Sequence, residues 1–270
     1  MPELPEVEIT KQAISKQLVG KKVLSVTPFT EWLRLPLLDG LKGDLSGQTL
    51  IDMNRRGKYL LFRFDMGTII LHLGMSGSIR IEASDAVIKK HDHLELSWKG
   101  GLCLRLNDPR RFGLAVWSSG DPLQHPLLKV LGPEPLGEGF HGEYLFRESR
   151  GRGLAIKKFI MYSHTVAGVG NIYANESLFR AGIHPGRPAG NISQARCHRL
   201  AEAIKGVLSK AIALGEKELE RWNGRGEIPT RFPLLLDIYG KSPEPCSRCR
   251  TPISQIRMDG RSTYFCGRCQ

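Results

Sequence analysis

The chain has 270 residues, 41% of them apolar and 24% charged, enough to bury one large core or two ordinary ones. No apolar run approaches the roughly eighteen residues of a membrane span, and no basic stretch leads into an apolar segment with a small-residue cleavage site, so the expectation is a globular protein that is neither membrane-spanning nor secreted. Thirty-nine basic against 27 acidic residues give +12 at pH 7, which points to a polyanionic partner such as nucleic acid.

In chain order, the first helix is predicted to follow Pro5 and run to Gly20, with Val7, Ile14 and Leu18 on one stripe. Seven short β-rich runs come next: KKVLSV, KYLLFRF, TIILHLG, SIRIE, HLELSW, LCLRLN and LAVWS. Met66-Gly67 and Lys99-Gly100-Gly101 are placed as hairpin turns, and strands so short and close predict an antiparallel sandwich or barrel. Cys103 alternates with leucines and reads as a buried strand residue. The Pro- and Gly-dense LGPEPLGEG, residues 131–139, reads as a linker.

Beyond it the period becomes helical: residues 154–164, 171–181, and a longer helix from Ser193 in which Leu200, Ile204, Val207, Leu208 and Ala211 share a face before Gly215. Gly168-Val169-Gly170-Asn171 lacks a preceding strand, which excludes a dinucleotide fingerprint, but glycines at a helix N-terminus let backbone N–H groups approach a phosphate. The last 25 residues hold Cys246-x-x-Cys249 and Cys266-x-x-Cys269, sixteen residues apart, a spacing suited to one structural zinc ion held by four thiolates. Charge follows the same division: residues 1–150 carry a net +2 and residues 151–270 a net +10, so the polyanion-binding face is expected to be mostly C-terminal.

The chain starts MPELPEVE. Methionine before a small residue is commonly removed, which would leave Pro2 with a free secondary amine. An α-amino group titrates near pH 8, so about a tenth is unprotonated at neutral pH. Such an amine can attack an electrophilic sugar carbon to give an iminium, with Glu3 and Glu6 close enough for acid and base work.

These segments together carry a resemblance. MPELPEVE, RRGKYLL, HLGMSGS, HDH, DPRRFG, LGPEPL, GVGNIYANESLF with AGIHP, and the terminal Cys pairs make the chain similar, from first residue to last, to the bacterial formamidopyrimidine-DNA glycosylases of the Fpg/Nei family. The resemblance implies an α+β protein: an N-terminal β-sandwich with a leading helix over residues 1–130, a linker over 131–145, a helix-two-turn-helix module over 146–238 and a zinc-finger segment over 239–270. It implies a bifunctional enzyme that excises oxidised purines such as 8-oxoguanine and formamidopyrimidines from double-stranded DNA and then cleaves the strand by β,δ-elimination. A cytoplasmic, nucleoid-associated bacterial protein follows, with one structural Zn2+. A monomer is the default, since no heptad seam is present.

Residue by residue, the resemblance makes Pro2 the nucleophile, Glu3 the acid that protonates the deoxyribose ring oxygen and Glu6 its support. Lys58 and Arg261 join the catalytic set while gripping phosphates beside the lesion. His72 and Asn171 resemble further phosphate ligands, and both carry donors suited to phosphate oxygens. Met75, Arg110 and Phe112 match residues that fill the void left by the extruded base: an apolar wedge, a planar ring and a guanidinium for the orphaned partner. His91, Arg111, Lys157 and Thr230 complete the implied DNA contacts.

The chain departs from the family between Gly215 and Tyr239. There the family commonly has a small, hydroxyl- and glycine-rich opening to the loop that closes over the flipped purine, and this sequence has Glu216-Lys217-Glu218 followed by RWNGRGEIPTRF. Two alternatives rank below this reading. An endonuclease VIII type acting on oxidised pyrimidines is disfavoured by the PEL start and the complete Met75, Arg110, Phe112 set, and a non-catalytic zinc-ribbon protein would have no use for MPELPEVE.

Overall fold

The structure, a computed structural model, describes residues 2–41 and 43–270. The chain forms two compact units. One comprises the chain up to Lys129 together with Ile212–Phe232, and the other Val130–Ala211 with Pro233–Gln270.

In the first unit, helix α1 (Leu4–Leu18) leads into eight strands: β1 (Val23–Pro28), β2 (Asp52–Arg56), β3 (Tyr59–Phe64), β4 (Gly67–His72), β5 (Ser78–Ala83), β6 (Asp92–Trp98), β7 (Leu102–Asn107) and β8 (Leu114–Ser118). A short helix α2 (Pro126–Lys129) follows. The strands make two antiparallel sheets, of order β1-β6-β7-β5-β9 and β2-β3-β4-β8, where β9 is Gly226–Glu227. Alternate residues of the two sheets, including Leu60, Phe62, Phe64, Leu71, Ile81, Leu96, Trp98 and Leu106, interleave in one core with α1. This is the expected sandwich.

Helix α1 starts at Leu4, earlier than expected, with Pro5 inside its first turn. There a missing N–H costs no hydrogen bond. Strand β2 escapes the sequence reading because DMNRR looks polar; of its five residues only Met53 is buried, and pairing with β3 makes it a strand. Both hairpins appear, the first with Phe64 paired to Gly67 and the second with Trp98 paired to Leu102.

The second unit contains α3 (Gly142–Ser149), α4 (Ile156–Met161), α5 (Asn171–Ala181) and the start of α6 (Gln194–Arg221). A hairpin of β10 (Ser254–Met258) and β11 (Arg261–Phe265) follows, turning at Asp259-Gly260 with both residues at positive φ, as a type I′ turn requires. Helix α4 is shorter than expected from residues 154–164, and α6 runs past its expected stop at Gly215 to Arg221. Gly215 is helical for a packing reason: a Cβ there would meet the Ile9 side chain at 2.4 Å. No described helix is long and apolar enough to cross a membrane.

Candidate functional site

The candidate residues fall into two groups, one in each unit. In the first unit, Glu3 is the N-cap of α1 in a reciprocal capping box: its carboxylate accepts the Glu6 amide, and Glu6 Oε2 accepts the Glu3 amide at 2.8 Å. Glu3 is 1% exposed, while its neighbour Pro2 is half-buried. The box therefore fixes the Glu3 carboxyl group next to Pro2 in the chain, with the Glu6 carboxylate holding the Glu3 amide.

On α1, Glu8 accepts from Arg55 Nε at 2.8 Å, and Arg55 Nη1 donates to the Gly57 carbonyl at 3.0 Å. Two ties thus fix the β2–β3 turn that carries Lys58. Burial and the Glu8 ion pairs compete, and the partners Lys11 and Arg55 win, holding the Glu8 carboxyl below its usual range.

His72 ends β4 with its ring 4.8 Å from that of Tyr59, and its Nδ1 accepts the Gly74 amide at 2.9 Å. Burial, reinforced by Arg34 and Lys58, pushes its pKa down to about 3. At neutral pH the imidazole is uncharged, and with Nδ1 occupied as an acceptor its Nε2 carries the proton, a donor fit for a phosphate oxygen. The unfolded chain takes up a proton below about 6.5 that the native imidazole refuses until about 3, so acidification through that window favours unfolding. Between pH 6.5 and pH 5 the wild type is expected to lose about 2 kcal/mol more than a His72→Gln variant. Urea denaturation of both proteins at the two pH values measures this.

Met75 and Phe112 are 42% and 48% exposed, unusual for large apolar side chains next to buried strands. Their loops are pressed together. Gly74, at φ +65°, has the Gly113 amide and Phe112 carbonyl carbon 2.5 Å from where a Cβ would lie, so only glycine fits. Arg110 places its guanidinium 5.8 Å from the Phe112 ring centroid. Asp108, fully buried, joins the loops: Oδ1 accepts the Ser76 hydroxyl at 2.7 Å and Oδ2 the Gly113 amide at 2.7 Å. Arg111 and His91 both adopt left-handed backbone, and Thr230 lies just beyond β9 with its amide donating to the Ile228 carbonyl at 2.8 Å.

In the second unit, Arg261 opens β11 directly after the hairpin turn. Lys157 is buried, and its ammonium donates to the Ser262 carbonyl at 3.0 Å and the Thr263 hydroxyl at 2.6 Å. Asn171, first residue of α5, donates to the same Ser262 carbonyl at 3.1 Å, while Asn175 Oδ1 accepts the Tyr264 amide at 2.8 Å. Lys157 thus lies beneath the hairpin and anchors the strand that presents Arg261. Both line a cavity of about 200 Å³ with Lys158, Tyr162 and Asp259.

The sulfurs of Cys246, Cys249, Cys266 and Cys269 all lie within 4.8 Å of one another, with Cys249–Cys266 at 3.4 Å and Cys246–Cys269 at 3.9 Å. A zinc ion with about 2.3 Å Zn–S bonds needs tetrahedral edges of about 3.8 Å, so the four thiols fit one ion. The Arg248 amide points at Cys246 Sγ, 3.4 Å away, and Phe179, Ile238 and Ile253 pack around the buried cysteines. Four protein ligands leave no open position, so the metal's part is structural.

The sequence reading missed Asp108, Asn175 and Glu176. Buried on α5, Glu176 accepts three backbone amides, from Asp237 at 2.8 Å, Ile238 at 3.0 Å and Tyr239 at 2.8 Å. An acidic residue inside the otherwise apolar and amide-rich NIYANESLF was the available signal.

Comparison with known proteins gives the family. The sequence matches the formamidopyrimidine-DNA glycosylase N-terminal domain over residues 1–115, the H2TH domain of the same proteins over 131–222, and the zinc finger found in FPG and IleRS over 244–270. Formamidopyrimidine-DNA glycosylases of Geotalea uraniireducens and Thioalkalivibrio sulfidiphilus are 53% and 49% identical to it over 270 residues, the whole of each chain. Among solved structures, the complex of Lactococcus lactis Fpg with DNA containing an abasic site superimposes with a TM-score of 0.89 at 35% identity, covering 100% of this chain and 99% of that one. A MutM complex with carbocyclic 8-oxo-G DNA gives 0.89 at 36% identity with the same coverage.

Proposed function

The chain belongs to the formamidopyrimidine-DNA glycosylase family, DNA glycosylases of base excision repair whose lyase activity is part of the family, and from that premise we propose how its residues divide the work. The substrate class is duplex DNA carrying an oxidised purine or an abasic site. The observation that carries this reading is the capping box, which holds a buried carboxyl group beside Pro2.

With Met1 removed, the Pro2 nitrogen attacks C1′ of the extruded nucleotide. Glu3 delivers a proton to the ring oxygen, the C1′–base bond breaks, and the sugar opens as an iminium on Pro2. Loss of the 3′ phosphate and then the 5′ phosphate completes β,δ-elimination. Lys58, His72, Asn171 and Arg261 hold the phosphates around the lesion. Met75, Arg110 and Phe112 occupy the gap in the stack, and His91, Arg111, Lys157 and Thr230 take supporting DNA contacts. Residues 1–130 supply the nucleophile and wedge, 146–238 and 239–270 the remaining grip, with 131–145 joining them. The protein acts as a monomer in the bacterial cytoplasm, at the nucleoid.

Nicking of duplexes carrying 8-oxoguanine, formamidopyrimidine or thymine glycol tests the reading; cleavage is expected with both purine lesions and weakly with thymine glycol. Cleavage of thymine glycol alone would overturn the substrate class. Two variants separate grip from wedge. Lys58→Ala should weaken damaged and undamaged DNA alike and lower the salt slope of affinity by about one, because a phosphate contact releases a counterion and carries no base information. Phe112→Ala should lose mainly lesion binding, leaving that slope unchanged.

A further inference from the structure

Behind the wedge loops lies a buried charged network that the mechanism above does not use. Arg80 on β5, 4% exposed, grips Asp92 with two hydrogen bonds, Nη1 to Oδ1 at 2.9 Å and Nη2 to Oδ2 at 2.8 Å, and its Nε donates to Glu82 at 2.9 Å. Asp92 also accepts the Lys89 amide at 2.8 Å and the Asn107 side chain at 2.8 Å. The Asn107 amide reaches the Lys90 carbonyl at 2.9 Å, and Arg105, tied to Glu95 at 2.7 Å, donates to the Ala86 carbonyl at 2.7 Å. Three backbone groups of the 86–90 segment are therefore held by side chains of the sheet.

The network continues to the wedge. His91 follows that segment at φ +72°, a conformation that a non-glycine residue keeps only where its neighbours enforce it. Its carbonyl accepts the Asp108 amide at 3.0 Å, and the Asp108 carbonyl contacts His93 Nε2 at 2.9 Å. Through its carboxylate Asp108 then fixes Ser76, beside Met75, and Gly113, beside Phe112. A bidentate ion pair is more than packing demands here, since well-fitted apolar residues in such a place commonly give equal or greater stability. What an apolar pair does not supply is direction: Asp92 offers an acceptor to the Lys89 amide and another to the Asn107 side chain, which in turn donates to the Lys90 carbonyl.

We propose that Arg80, acting through Asp92, is a positioning residue for lesion recognition: the pair fixes the 86–92 segment, and through His91 and Asp108 it sets the Met75 and Phe112 wedge. The proposal rests on the wedge reading of Met75, Arg110 and Phe112.

The test uses the full-length protein with Arg80 and Asp92 replaced together, as Arg80→Met with Asp92→Leu, so that neither member of the pair is left buried without the other. Expected is a thermal transition near that of the wild type, an unchanged salt slope, and a preference for 8-oxoguanine over undamaged duplex reduced about tenfold or more. A 2-aminopurine placed opposite the lesion, which brightens when its neighbour is wedged apart, should brighten several-fold less. Asp92→Asn, which keeps an acceptor for the Lys89 amide, should retain most of both signals. Asn107→Ala, which cuts the tie to Lys90 while burying no charge, should lose about threefold in preference even if the double variant fails to fold. Phe112→Ala is the control: if it keeps full preference and brightening, the wedge reading itself fails. If Phe112→Ala loses both while the folded double variant, or Asn107→Ala in its place, keeps both, the positioning role is wrong.

Discussion

Borohydride added to this protein and a duplex carrying 8-oxoguanine or an abasic site is expected to yield a covalent protein–DNA adduct, and the same protein retaining Met1 ahead of Pro2 is expected to yield almost none. An iminium has an electrophilic carbon that hydride reduces to a stable amine, so trapping reports the covalent step itself. Retaining Met1 turns the Pro2 nitrogen into an amide, which is not nucleophilic. Pro2→Gly keeps a primary amine and should trap less. Glu3→Gln tests the second part of the geometry: excision of 8-oxoguanine should fall at least about 100-fold, in the range of a lost general acid. Trapping at an abasic site should fall much less, because the glycosidic bond is already gone. The capping box predicts a further split, with Glu6→Gln milder than Glu3→Gln, since an amide oxygen still accepts the Glu3 N–H. An adduct that survives in the protein retaining Met1 would move the nucleophile elsewhere.

Removing the metal should have the other large effect. Ligation by four thiolates supplies about 10 kcal/mol or more of folding free energy in small zinc modules, and here Cys246 and Cys266 are also part of the local core with Phe179, Ile238 and Ile253. Cys246→Ser should therefore loosen the ribbon and, with it, the β10–β11 hairpin that presents Arg261. Affinity for lesion DNA is expected to drop about 100-fold or more, by fluorescence anisotropy, with zinc content falling from one per chain towards zero. A wild type without stoichiometric zinc, or a variant that binds lesion DNA normally, would sink the idea.

Much of this was legible in the residues. Strands β3 to β8 announce themselves because each carries apolar side chains on the face turned to the core, and the Cys-x-x-Cys pairs because metal geometry constrains spacing. Strand β2 was not, since DMNRR owes its strand state to pairing with β3. Nor was the length of α6, where Gly215 looks like a stop and is instead the one residue thin enough to pass Ile9. Lys157 shows what a motif leaves out: the resemblance gives it a DNA contact, and only the structure adds that its ammonium donates to the Ser262 carbonyl and the Thr263 hydroxyl. Asp108 and Glu176 were missed for a related reason. Their partners are backbone amides, which no side-chain pattern announces.

Strand β9 bears on how the protein is made. It covers the edge of β5, pairing Glu227 with Arg80 and Gly226 with Ile81, and the residues around it, Leu219, Trp222 and Ile228, pack into the core of the first unit. A ribosome that has finished residue 129 has therefore not yet made the pieces that close that core; they emerge about a hundred residues later, after roughly 5 to 20 s of synthesis at ordinary speeds. Throughout that interval the nascent sandwich carries an open strand edge, the kind of template on which chains pair wrongly. A fragment ending near residue 130 is frozen at that stage, and its expected fate is aggregation.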